Sequence, residues 1–481
     1  MTIRVGLIGA LVVFGAAATS TSAVRAQEPT VRESLAALRF EPVEFEPPVP
    51  EHHEVDGVSV LLLEDRTLPL VGAYARFRGG YGRLAREWYA PAFGLPTLLR
   101  YGGTATLPPD SVDAVLDFYA IQTSFGTGGG TISATIETLT EHLDVTMELW
   151  TDLLTRPGFD EREIELWRDR ELESARRRAD DPSSLAYAEF NRLLYGDHPV
   201  GWELGPEDLA DALVAPARLA DVHRRIVCRE NLMLGVAGDV SWSEMRPFVE
   251  RLVARLAPCP EPLPEAAAPD IRREPGVFLI EREIEQAVVV MAHPASVRFA
   301  DDPTYFAATI GNWILGAGGF SSRLLARVRT EQGYAYGASS LWTMPRRYDG
   351  VMGAVTSTRP ENVAPAIRLI LATMEELRSG PPTEAELRTA VDGVVNGFVF
   401  NFETPGQIVS RVMLYLAEDM PEDWLERYAR GIQRVTPGDV QRVFAEHVRP
   451  REMTILIVGD LDRIGLEALA EFGPVTRLRI E

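Results

Sequence analysis

Apolar and polar positions along this chain switch between two periods, and the switches mark out its elements. Val58 to Leu63 is continuously apolar and Val71 to Phe77 alternates, which predicts two strands. A helical pattern begins near Pro91, and Ser111 to Ile121 predicts a second helix. Thr127-Gly128-Gly129-Gly130 turns the chain into an alternating strand over Thr131–Glu137. His142–Leu154 and Glu161–Arg178 carry helical periodicity, and helix-rich sequence continues to Arg225. Asn231–Ala237 is a strand closing on Gly238-Asp239, with a helix over Glu244–Leu256 behind it. Residues 27–56 form an extended lead-in, and the proline-rich stretch 257–275 shows no period at all. It predicts a linker.

After that stretch the same order returns. Val277–Ile280 and Ala287–Met291 predict strands, Pro303–Ile314 a helix, Gly350–Ser357 a strand, and Asn362–Arg378 a helix. Thr383 opens another helix, and Thr454–Val458 is a strand closing on Gly459-Asp460. "LMLGVAGD" at 232–239 matches "TILIVGD" at 454–460, and "GFDEREIELW" and "PPTEAELRTA" sit at nearly the same offset. So long a period indicates a duplicated domain. Each half, 27–256 and 276–481, reads as an α+β unit whose sheet is covered by helices on one side.

Composition places the chain among soluble globular proteins, with 46% hydrophobic and 25% charged residues. Arg4, an apolar run to Ala18 and a V-x-A ending at Ala26 read as a secretory signal over residues 1–26. The expected location is periplasmic or secreted, with no membrane span after cleavage. The remaining chain has 46 basic against 70 acidic residues, a net of −24, which excludes nucleic-acid binding through the general field. Basic peptides or a basic partner surface are favoured instead. Cys228 and Cys259 are placed where their elements could meet, with a disulfide and two free thiols both open.

The chemistry concentrates between Gly316 and Ser340, "GAGGFSSRLLARVRTEQGYAYGASS". A small-residue loop leads to a helix capped by Ser321 or Ser322, Gly333 stops it, and a strand follows through Tyr336. Arg329 and Tyr336 stand out. On their own they are a cation at a helix C-terminus and a strand aromatic. The loop either turns tightly or exposes backbone N–H groups of Gly318 and Gly319 to a ligand.

This stretch and the duplication resemble the pitrilysin/insulinase metallopeptidases, which include the mitochondrial processing peptidases. Gln286, Asp302-Pro303, Gly316, Ser322-Arg323-Leu324, Arg329 and Tyr336 fall where the family pattern asks. The resemblance implies two LuxS-like metallohydrolase-type domains facing a central cavity, and an H-x-x-E-H zinc motif in the first half. Thr97, Arg100 and Tyr101 stand at those three positions, and the downstream ligand glutamate falls near Ser174, next to Glu173. A fixed guanidinium at Arg100 opposes a cation there. None of the seven histidines has another at helical i+4 spacing, so no metal or other cofactor is expected in this chain. The strand Thr131–Glu137 corresponds to the edge on which family members receive peptide.

The resemblance therefore implies a zinc-free subunit of a heterodimeric peptidase. It would not be active alone. Arg329 and Tyr336 would act in trans on a peptide in a partner carrying the H-x-x-E-H motif and its zinc. The alternatives are a peptide-binding or assembly protein of the same fold, and a peptidase with unorthodox ligands.

Overall fold

The computed structural model describes residues 48–421 and 423–479. The expected signal segment, 1–26, and most of the lead-in lie outside the described residues. Two six-stranded sheets dominate the fold. The first contains β1 (Glu51–Val55), β2 (Val58–Glu64), β3 (Leu70–Arg78), β4 (Gln122–Thr127), β5 (Thr131–Leu139) and β6 (Leu232–Gly238), in the order β1-β2-β6-β3-β5-β4. The second contains β7 (Gly276–Glu281), β8 (Ala287–Ala295), β9 (Ala335–Trp342), β10 (Gly350–Thr358), β11 (Thr454–Gly459) and β12 (Val475–Arg477), in the order β12-β7-β11-β8-β10-β9. Position for position the two orders agree, as a duplication requires. They differ only at one rim, where β1 runs antiparallel to β2 but β12 runs parallel to β7.

Three expectations are corrected. The end of the lead-in is not unstructured, because residues 51–55 form β1. The strand thought to be a peptide-receiving edge, β5, is interior, bonded to β3 on one side and to β4 on the other. The true edge is β4, whose polar sequence QTSFGT gave no alternating signal.

The third correction concerns the layers. Helices Tyr89–Tyr101, Leu143–Thr155, Pro216–Ile226 and Trp242–Arg255 cover one face of the first sheet, around Phe77, Leu98, Trp150 and Leu252. Pro303–Asn312, Val363–Ser379 and Pro437–His447 do the same for the second. The opposite faces are covered too, each by a helix from the other half. Helix Pro182–Tyr195 sets Leu185, Phe190 and Leu194 against Val288, Val290 and Leu456 of the second sheet. Helix Pro405–Ala417 sets Val409 and Met413 against Leu61 and Ala237 of the first. That exchange explains why β8 and β11 are apolar at nearly every position, since both of their faces are buried.

Segment 257–275 carries neither helix nor strand, and it is strapped down along its length. Cys259 is disulfide-bonded to Cys228, Arg83 donates to the Pro264 carbonyl (3.0 Å), and Arg272 N–H to that of Leu194 (2.9 Å).

Candidate functional site

Helix Pro303–Asn312 runs on through a π-helical turn, Trp313–Ala317, into the small-residue loop. The loop is glycine because it has to be. A Cβ on Gly316 would stand 2.1 Å from the Ser340 nitrogen of β9, and Gly319 has φ +58°. The N–H of Gly318 bonds the Trp313 carbonyl (2.9 Å), so the turn consumes a donor that a ligand might have used. Ser322 then caps the next helix: its hydroxyl donates to the Gly319 carbonyl (2.7 Å) and accepts from Leu325 N–H. A turn of helix, Arg323–Leu325, passes into π-helical Ala326–Glu331, and the chain reverses at Gly333 into β9.

Three arginines project from this segment, and two are neutralised. Arg323 grips Glu386 through two hydrogen bonds (2.7 and 2.9 Å), which pull that carboxyl down to about 2. Arg327 grips Glu376 likewise (2.8 and 2.7 Å). These pairs clamp the segment to helices Val363–Ser379 and Glu384–Val399. Arg329 has no carboxylate partner among the described residues. Its Cζ lies instead 4.5 Å from the Tyr336 ring centre and 5.2 Å from that of Phe320. Both aromatic residues are 79% exposed, and Tyr336 stands on β9, the outermost strand of its sheet. The structure therefore brings the expected pair together and adds Phe320, which sequence reasoning missed. Its one signal was an aromatic residue inside an otherwise small and polar loop.

Thr97, Arg100 and Tyr101 lie on helix Tyr89–Tyr101, which continues through Pro96 without a break. Arg100 donates to Asp113 (2.8 Å) and to the Thr123 hydroxyl on β4 (2.8 Å), and lies 4.6 Å from the Tyr101 ring centre. Its charge is thus anchored among the positions where the resemblance puts the zinc motif. Helix Glu161–Asp180 runs antiparallel to this one, with Phe159 against Gly102 and Trp167 against Gly94. At 1.5 Å per residue, Ser174 and Glu173 lie roughly 15 Å along the axis from the level of Thr97. At that level the helix presents Ile164 and Trp167, both buried and apolar. Zinc does not fit this donor set. Among the described residues the one grouping of ligand-type atoms close enough for an ion is Cys228, Glu230 and Cys259, and its two sulfurs are bonded to each other. His52 and His53 are on β1, the first bonded to Ser59 (2.8 Å) and the second stacked on Trp242 at 4.0 Å.

Two duplicated sheets, a helix at the expected zinc motif without metal ligands and an Arg/Tyr pair on the second sheet's edge define the class: a peptidase-like α+β fold. Residues 214–394 match the model of the Peptidase M16 inactive domain. This stretch is similar to the M16 peptidases. It is 29% identical over 329 residues to an uncharacterized zinc protease of Streptomyces coelicolor, covering 66% of this chain and 70% of that one. The non-peptidase homolog YmxG of Helicobacter pylori is 21% identical over 85% of this chain and 94% of its own. Among solved structures, a peptidase M16 inactive domain from Pseudomonas fluorescens superposes with a TM-score of 0.76 at 22% identity, over 89% of this chain and all of that one. The periplasmic protease PqqL of Escherichia coli gives 0.72 at 14% identity, over 87% of this chain and 47% of its own.

Proposed function

We propose that this chain is the zinc-free subunit of a two-chain M16-type peptidase, and that Arg329 and Tyr336 hold a peptide in the active site of a zinc-bearing partner. One observation carries the proposal. Of three arginines on one segment, only Arg329 is left without a carboxylate among the described residues, and it is poised over an exposed tyrosine. A guanidinium and a phenol, both donors, suit a peptide carbonyl and the charge that develops on it. The rings hold the guanidinium in place without consuming its N–H groups. The paired cysteines support an exported, oxidising setting.

The test mixes this chain with its catalytic partner and follows peptide cleavage. Arg329→Ala should lower kcat roughly a hundredfold, the usual cost of losing one donor to a developing oxyanion, and Tyr336→Phe somewhat less. Cleavage at the wild-type rate with both variants would remove these residues from the chemistry. It would favour the second reading, a peptide-binding or assembly protein of the same fold, which the "non-peptidase homolog" relative also supports.

A further inference from the structure

A seam between the halves runs where helix Pro405–Ala417 crosses the first sheet. Arg76 and Arg78 are two residues apart on β3, so they share a face, the one on which Tyr74 meets that helix. Arg83 follows in the turn Tyr81–Arg83. From the other half, the β9–β10 connection brings Arg347 to the end of the same helix, where it bonds the Ala417 carbonyl (3.4 Å) and Asp419 (3.3 Å).

These guanidinium groups are poorly matched. Neither the Arg76 nor the Arg78 side chain makes a hydrogen bond or ion pair among the described residues, and the Nε atoms of Arg76 and Arg83 are buried without a partner. Arg83 makes one bond, to the Pro264 carbonyl. Burial holds Arg83 below the usual range, and the neighbouring charges of Arg78 and Arg347 lower it further. Glu418 faces both Arg76 and Arg83 and lies 3.8 Å from Arg347, and Glu265 also faces Arg83. Of these four guanidinium groups only Arg347 has a carboxylate within ion-pair distance among the described residues, and in a chain with a net charge of −22 so basic a cluster offers a place for an anion.

We infer that this seam binds an oxyanion, gripped by guanidinium groups from both halves. Phosphate and carboxylate share the paired-oxygen geometry that the arginine fork matches, so the ligand is either a phosphate group or an acidic side chain of a peptide. Because Arg76, Arg78 and Arg83 belong to one half and Arg347 to the other, the bound anion joins them. This inference stands whether or not Arg329 serves catalysis.

The experiment is calorimetric titration of the full chain with inorganic phosphate and, separately, with a tetraglutamate peptide, at constant ionic strength in chloride. One of the two should bind saturably at one site per chain, and which one identifies the source. Arg78→Gln and Arg347→Gln, both at exposed positions, should each weaken that binding at least tenfold, with Arg224→Gln as an unaffected surface control. Absence of saturable binding by either ligand overturns the inference, and so does binding that survives both substitutions unchanged.

Discussion

At the scale of single residues, the sharpest consequence concerns a buried histidine outside the site. His293 on β8 accepts the Arg449 N–H at Nε2 (2.9 Å) and donates from Nδ1 to the Pro294 carbonyl (2.8 Å). Acceptance at Nε2 needs the neutral ring, and burial takes it down to about 4, from an ordinary 6.5. A depressed folded-state value means the stabilisation is complete above pH 6.5 and is lost as pH falls toward 4. The loss comes to about 2 kcal/mol at pH 5 and about 3 kcal/mol at pH 4. Urea unfolding at pH 7.5, 5 and 4 should show it, and His293→Gln should flatten the dependence. An unchanged slope in that variant would move the acid sensitivity elsewhere, with His223, also depressed by burial, the next residue to test. The site residues differ in how far sequence exposed them. Arg329 and Tyr336 were legible through family pattern, but Phe320 was not, because its value lies in a contact across nine residues of folded loop and helix.

At the scale of elements, apolar runs such as β8 and β11 announced themselves, whereas β1 and β4 did not. Their residues, EHHEV and QTSFGT, have little strand character, and pairing with β2 and β5 makes them strands. The linker was legible as a break in pattern, but its strapping was not, since the partners at Arg83 and Leu194 are distant in sequence. The disulfide that opens the strap closes a loop of 31 residues. On a chain-entropy scale such a closure stabilises by about 3.5 kcal/mol. Guanidinium unfolding with and without reductant should reveal a loss of that order, matched by Cys228→Ala/Cys259→Ala and absent when reductant is added to the double variant. A change under about 1 kcal/mol would mean the unfolded chain is already held compact there.

At the scale of the molecule, the exchange of helices decides whether the halves are separable. Sequence duplication suggests two self-sufficient domains, but each sheet borrows a cover. Removing helix Pro182–Tyr195 from the second sheet would expose Leu185, Phe190 and Leu194 together with Val288, Val290 and Leu456. At about 1.5–3 kcal/mol per large side chain, the loss is on the order of 10 kcal/mol, as large as the whole stability of an ordinary domain. The same holds for the first sheet without Val409 and Met413, on a smaller scale. A protease site placed among residues 265–270 tests this directly. Cut after folding, the two fragments should stay together through gel filtration and unfold in one transition. Refolded apart, neither should give a cooperative transition, and mixing them should restore it. If the second fragment alone unfolds cooperatively at the denaturant midpoint of the intact chain, the borrowed helix is a lid on a finished domain. If it does not, the duplicated halves fold as one body, and any partner must engage them as a pair.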